Sequence, residues 1–590
     1  MHGPIFRPLI LASSSVPKAY AFVAVVIGFL AASFGAQAQT ASQITPRSFR
    51  PEASAPGVAI EIAERPSAKP PGGDDTLSVK LSSVRVEGEF PELRLMTSAW
   101  SAEISARRVT AAEIFAFARK LEAAYADAGF ALVRIVLPAQ RLVDGASLRL
   151  VLFDGALERI DTSQVDASIR ARVENVLAPL VGQRRLRLKE IERRLLLASD
   201  TPGARLRSTI AAGSSPGASI LLIEGRHRLV TGALTFDNSL SRALGRANAG
   251  AALEINSALG MGDLFYLRLG GRPQGGGDGF FTSRAMNSSV AAGFVLPLGA
   301  DGLSLNLEGA NTRATPRAEG LRSSSEFERL SVRLHYPWLK SRRFSFSSDI
   351  VFDAASERST VVGSQNLPLS LDRLRILRAA GDLVWSTPSD GLLTARVTAS
   401  VGLDALGARP AREATADLPL SREGADASFG KLDANVTFGQ PLTDHLAIEL
   451  RARAQSSFAQ ALLRSEQIGL SGSTSVSTLD AGGIQGDSGL VLRAELQSPW
   501  TVPVSYGHWS AAPYAFLAAG RVWLERPTAV EPGRIDAHAF GLGLRLAGAP
   551  GGALSQNLFS QASVSIEWGR EYRSDGGWSS RTMLMSALHF

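Results

Sequence analysis

The residues of this chain that could do chemistry are few. Gly486-Asp-Ser-Gly489 places a serine between an acid and a glycine, the setting in which a serine can become a nucleophile for acyl transfer. No further Gly follows it, no His-bearing segment stands ready as its base, and the strand-like run Val491-Leu-Arg-Ala-Glu-Leu496 comes next. The tetrad therefore reads as a polar turn leading into a strand. Gly260-Met-Gly-Asp263 is not a phosphate loop, because no helix follows to aim its N–H groups at an anion. The 7 histidines are scattered without metal-ligand spacing, and the absence of cysteine excludes thiolate chemistry and disulfides. No enzyme and no cofactor site is expected.

The elements around these residues point elsewhere. The chain has 590 residues, too many for one ordinary domain, and its net charge of +7 is spread without a Lys/Arg block, so no nucleic-acid partner is expected. Hydrophobic residues make up 45% of it, yet beyond the N-terminus no apolar run approaches the roughly 20 residues of a membrane helix. Arg7 and Lys18, an apolar stretch over 19–34 and Ala36-Gln37-Ala38 read as a secretory signal over 1–38. On that reading the mature chain starts at Gln39 and leaves the cytoplasm. Residues 39–75 contain Pro46, Pro51, Pro56, Pro66, Pro70 and Pro71 and read as a linker.

Two small α/β units are expected next, over 76–155 and 156–225. In the first, residues 77–86 alternate like a strand, and Thr110-Ala-Ala-Glu113 is a capping box. Ile114, Phe117, Ala118, Leu121 and Tyr125 then share one helical face up to Gly129, with strands expected over 131–137 and 147–153. The second unit repeats the order, with a strand over 157–161, helices over 169–180 and 189–198, and strands over 205–210 and 219–224.

From 226 to 590 helical periodicity gives way to alternation. Leu446, Ile448, Leu450, Ala452 and Ala454 interleave with Ala447, Glu449, Arg451, Arg453 and Gln455. Leu330, Val332, Leu334 and Tyr336 do so with Ser331, Arg333 and His335. One apolar face and one charged face fit an antiparallel transmembrane β-barrel with lipid outside and water inside. About 365 residues at roughly 22 per strand and loop give on the order of 16 strands. Residues 270–279 and 405–427 would be external loops, with Tyr336 and Trp338 in an interfacial girdle. The closing segment carries Leu584, Leu588 and the terminal Phe590 on one face. An outer-membrane barrel looks like this where its last strand must pair with its first.

Several motifs together carry a family resemblance. They are Gly129-Phe130 through Leu137-Pro138 to Phe153-Asp-Gly155, then Thr201-Pro-Gly203 and residues 213–219. Phe236-Asp-Asn238, Gly245-Arg246 and residues 256–263 complete the set. Over residues 77–590 the chain resembles the two-partner secretion outer-membrane transporters, the haemolysin secretion/activation proteins of ShlB/FhaC/HecB type. The resemblance implies two periplasmic POTRA domains ahead of the barrel, an outer-membrane location, and passage of an unfolded, β-rich exoprotein client to the cell surface. It also implies contact with outer-membrane lipid, and with the barrel-assembly machinery through Phe590 as the assembly signal. The POTRA units would bind the client as an added strand, with Val133, Ile135, Leu206 and Ser208 as candidate edge residues. An insertion factor of the same superfamily, or a solute porin or receptor, are the alternatives.

One departure stands out. The family sets an Arg, within Val-Arg-Gly-aromatic on a loop folded into the lumen, against an Asp in a Phe-x-Asp-x-Gly strand. Here those positions fall on Ser477, in Val476-Ser-Thr-Leu479, and on Ala518, in Phe516-Leu-Ala-Ala-Gly520. Losing one partner of a buried pair costs about 3–5 kcal/mol, whereas losing both can be nearly neutral. The loop over 465–489 is therefore expected to be loosely held, all the more so with Gly469, Gly472, Gly482 and Gly483 in it.

Overall fold

A computed structural model describes residues 39–50, 60–62, 78–215, 217–272, 279–317, 322–363, 366–504, 507–550 and 560–590. The secretory signal read over 1–38, and Pro51, Pro56, Pro66, Pro70 and Pro71 of the linker, lie outside them.

The first segments are helix α1 (Ala41–Ile44) and strand β1 (Ile60–Ile62). Strands β2 (Ser78–Lys80) and β3 (Ser83–Glu87), helix α2 (Arg94–Ser105) and strand β4 (Arg108–Thr110) follow. Helix α3 (Ala111–Asp127) starts at the capping box. The Thr110 N–H donates to Glu113 Oε2 at 2.8 Å, and the Glu113 N–H donates to Thr110 Oγ1 at 3.2 Å. That backbone bond, with Arg107 beside it, holds the Glu113 carboxyl below its ordinary range. The α3 face of Ile114, Phe117, Ala118, Leu121 and Tyr125 is the centre of the first unit's core.

Strand β5 covers only Arg134–Val136, shorter than the expected 131–137. The chain leaves α3 through Gly129 at φ +94°, and the Val133 N–H closes a turn on Phe130 O, so 130–133 is a turn rather than a strand. Strand β6 (Ser147–Phe153) pairs parallel with β3 and antiparallel with β5. Helix α2 was not legible in the apolar pattern, since Leu95 stands exposed on it.

The second unit has β7 (Ala156–Val165), α4 (Ala167–Leu177), α5 (Leu188–Ser199), β8 (Ala204–Ala212) and β9 (Ala218–His227). Its sheet runs β1-β8-β9-β7. Leu132 of the first unit is buried in the second unit's core, and the Leu188 N–H donates to Gly129 O, which ties the units together. Ion pairs from α5 and its C-terminus to the barrel turns, Arg194–Asp301 at 2.8 Å and Asp200–Lys340, dock the second unit on one rim.

Among the described residues sixteen antiparallel strands then close a barrel, the twelfth broken into Ser488–Gln497 and Trp500–Val504. The alternation sorts as the sequence implies: Leu330, Leu334 and Ile350 are exposed outside, while Arg333, Asp349 and Asp353 are buried inside. Closure joins the first strand, Val230–Asp237, to the last, Gly577–His589, with Leu234 opposite Leu588. Phe590 extends the seam by exchanging both backbone bonds with Gly232, at 3.0 and 3.1 Å. A Cβ at Gly232 would stand 2.4 Å from the tip of the Phe590 ring and 2.5 Å from the Ala252 carbonyl oxygen of the next strand, so a side chain there would displace the aromatic terminus and strain the ladder. Residues 403–429, between the ninth and tenth strands, form a long loop on the rim away from the α/β units, as expected for 405–427.

Candidate functional site

The barrel lumen is where charged side chains and mobile-looking sequence meet. Two segments fill it. The first is residues 39–50, expected as part of a featureless linker. The Ala41 N–H donates to Ser325 Oγ (3.0 Å), and the Ser42 N–H and hydroxyl both donate to Glu357 (2.9 and 2.7 Å). Farther along, Phe49 lies 4.0 Å centroid to centroid from Tyr266, and its N–H donates to Glu308 Oε2 at 2.7 Å. Arg50 pairs with Asp382 at 2.7 Å. Helix α1 is a single turn whose first N–H groups have no partner within it, and Pro46 prevents its extension, so the backbone donors of this stretch are satisfied by wall side chains instead of a ladder.

The second segment is the loop over 457–487, between the eleventh and twelfth strands, which folds inward. Ile468, Leu470, Val476, Leu479 and Ile484 pack against Phe516, Ala518, Val522 and Ala539 of the wall. Thr478 fits because Gly569 lacks a Cβ, which would lie 2.7 Å from its methyl. Gln43 Nε2 donates to Gln485 Oε1 at 2.7 Å, so the two segments also hold each other.

The loosely held loop expected from Ser477 and Ala518 is not what the structure shows. Ser477 is 3% exposed, its hydroxyl donating to Glu567 and accepting from Arg493 Nη1 at 2.7 Å. Arg493 donates to Glu567 Oε2 at 2.5 Å and stacks 4.0 Å from the Phe516 ring centroid. Tyr514 completes the carboxylate's shell at 2.8 Å. Ala518 lies opposite Arg493 in the ladder. The guanidinium is thus supplied by the wall, and the loop contributes a hydroxyl.

The candidate edge residues divide. Val133 is buried in the turn after α3 and presents no edge. Ile135 lies on the edge strand β5, but its N–H donates to Glu122 Oε2 at 3.2 Å, a carboxylate also paired with Arg134. Leu206 points into the second unit's core. Ser208 is on β8, and its outer neighbour is Ile60: β1 runs parallel along Ser208–Ile210 and takes that edge. The sequence carried no signal for β1, or for Arg493 and Glu567 as partners, beyond their places on lumen-facing strand positions.

The profile of the haemolysin secretion/activation proteins ShlB/FhaC/HecB matches residues 217–546, more than half of the chain. The chain belongs to this family. A POTRA domain of ShlB type matches residues 79–155. The outer membrane transporter CdiB of Dickeya dadantii (strain 3937) is 26% identical over 402 residues, covering 64% of this chain and 65% of that protein. The match thus spans just under two thirds of that relative. The fold is that of CdiB from Escherichia coli (TM-score 0.65, 19% identity, 91% and 94% of the two chains). It is also that of CdiB from Acinetobacter baumannii (TM-score 0.56, 14% identity, 99% and 100%). As a member of the family the chain is an outer-membrane β-barrel with its POTRA units in the periplasm. The rim they dock on is therefore periplasmic, and loops 403–429 and 457–487 belong to the outer rim.

Proposed function

We propose that this protein is a conduit that passes one unfolded exoprotein from the periplasm through its barrel to the cell surface. The observation that carries the reading is the nature of the obstruction. Residues 39–50 and the loop over 457–487 fill the lumen, yet neither segment is built into the barrel's ladder; side-chain bonds and apolar packing hold them. A plug held that way can leave without opening the wall, whereas a strand of the barrel cannot. Once it leaves, the lumen is a channel lined by charged and polar groups, suited to an extended chain and indifferent to its sequence.

The family implies a secreted exoprotein as client. Its docking strand is β8 at Leu206 and Ser208, open to strand addition once β1 withdraws, since main-chain bonds recognise an extended chain without demanding its sequence. The β5 edge at Ile135 is the second candidate, once Glu122 releases its N–H. Lipid contacts the apolar outer face, and the barrel-assembly machinery engages the Phe590 end during biogenesis.

The test is to look beside this gene for a large β-rich exoprotein and to follow its export. Deleting this chain leaves that exoprotein in the periplasm, and restoring it returns the exoprotein to the surface. Undiminished surface display without it contradicts the reading, and a general loss of other barrels from the membrane instead indicates an insertion factor.

A further inference from the structure

The Gly486-Asp-Ser-Gly489 tetrad does no chemistry as a nucleophile, but its acid has an unusual position. Asp487 is 0% exposed and gathers donors from three outer loops. From the loop over 457–487 it accepts the Leu462 N–H at 3.0 Å and Gln467 Nε2 at 3.1 Å. From the loop over 524–533 it accepts the Glu525 N–H at 2.7 Å. From the loop over 403–429 it takes Arg422, itself buried, in an ion pair through both carboxylate oxygens. Arg422 also donates to Glu525 O, which closes the triangle.

Beneath this carboxylate the loops share one apolar core. Leu420, Ala425, Ala427 and Phe429 meet Ala461 to Leu463, and Ala41 of the N-terminal segment is buried among them. Loop backbones that converge without a ladder must satisfy their N–H groups otherwise, and a charge in a dry site binds its donors strongly only while all are in place.

We propose that Asp487 is the latch of an outer lid: its carboxylate positions loops 403–429, 457–487 and 524–533 over the lumen. The lid opens when that carboxylate loses its donors, and the burial of Ala41 in the same core couples lid opening to departure of the N-terminal segment. The proposal rests on the conduit reading, because a lid matters only if something passes beneath it.

The chain has no cysteine, so single reporters can be introduced at Ala427→Cys and Ala461→Cys, one in each of two loops. Whole cells are treated with a membrane-impermeant maleimide, and heat-modifiable migration checks that each barrel is folded. Asp487→Asn puts an amide N–H against donors and removes the charge, so both reporters are expected to label about tenfold faster. Arg422→Gln removes the bonds that tie the 403–429 loop to Asp487 and Glu525, while Leu462 and Gln467 keep theirs, so the reporter at position 427 should accelerate more than the one at position 461. A reporter at Ala41→Cys should follow Asp487→Asn. Unchanged labelling in folded Asp487→Asn and Arg422→Gln proteins overturns the latch; so does equal acceleration of both loop reporters by Arg422→Gln, which would mean general loosening. Labelling does not involve a client, so a latch that behaves as stated while no exoprotein is exported would count against the conduit alone.

Discussion

Arg493 on the twelfth strand and Glu567 on the fifteenth are bonded at 2.5 Å, both nearly sealed from solvent, with the hydroxyl of Ser477 bonded to each. The family resemblance leads one to look for a guanidinium on the loop and a carboxylate at position 518. In this chain the guanidinium beside position 518 belongs to the wall, where Arg493 is the ladder neighbour of Ala518. The loop is thus held at a charged pair to which it contributes only a hydroxyl.

Removing one member of this pair should be far worse than removing both. Arg493→Met leaves Glu567 buried without its cation, at a cost of about 3–5 kcal/mol. The double change Arg493→Met with Glu567→Leu should recover most of that loss. The measurement is a double-mutant cycle on barrel unfolding, with a spin label at Ser473→Cys reporting the loop. The expected signature is a mobile label in the single variant.

Returning the family's residues one at a time should not be neutral. Ser477→Arg sets a second guanidinium within reach of Arg493 and replaces a hydroxyl that now bonds both charges. The loop label should become more mobile. Ala518→Asp gains Arg493 as an immediate neighbour and competes with Glu567 for it. The two changes together should couple favourably, because the new Arg then has a carboxylate of its own. Additive effects would show that positions 477 and 518 do not share this site.

The N-terminal segment should act as a removable plug. Ser42→Ala with Arg50→Ala removes donors to Glu357, Asp349 and Asp382 without touching the wall. Planar-bilayer recordings should show longer and larger open events, and deletion of residues 39–50 should exceed that effect. Conductance equal to the parent in the deletion would place the main obstruction in the 457–487 loop alone.

Strand β1 should protect the β8 edge. Replacing Ile60-Glu61-Ile62 with Gly-Pro-Gly removes ladder donors and strand preference. Hydrogen exchange over 208–210 should rise in that variant while 204–206 and β9 stay protected. An extended peptide from the client should restore protection at the freed edge. No change over 208–210 would show that the pairing of β1 with Ser208–Ile210 contributes nothing to that edge.

Much of this architecture was legible because it depends on local pattern. Leu330, Arg333, Leu334 and Asp349 declare their faces by alternation, and Thr110 with Glu113 declares a helix start within four residues. The lumen was not legible for the opposite reason. Arg493 and Glu567 lie 74 residues apart, and Ser42 reaches Glu357 across 315. Nothing local to Ser477 shows that a wall arginine lies against it. Strand β1 is likewise fixed by the partner it finds, since three residues have little strand preference of their own.

The most direct test of the conduit is to catch the client inside it. A client stalled by a fused, stably folded C-terminal domain carries one cysteine in its spanning region. This chain carries one at the lumen-facing Asn435 or, as a control, at the lipid-facing Leu450. The account predicts a disulfide cross-link from position 435 and none from 450, with the cross-linked client protease-accessible at the cell surface. Cross-linking from 450 alone, or surface display of the client with no contact at 435, would contradict passage through the lumen.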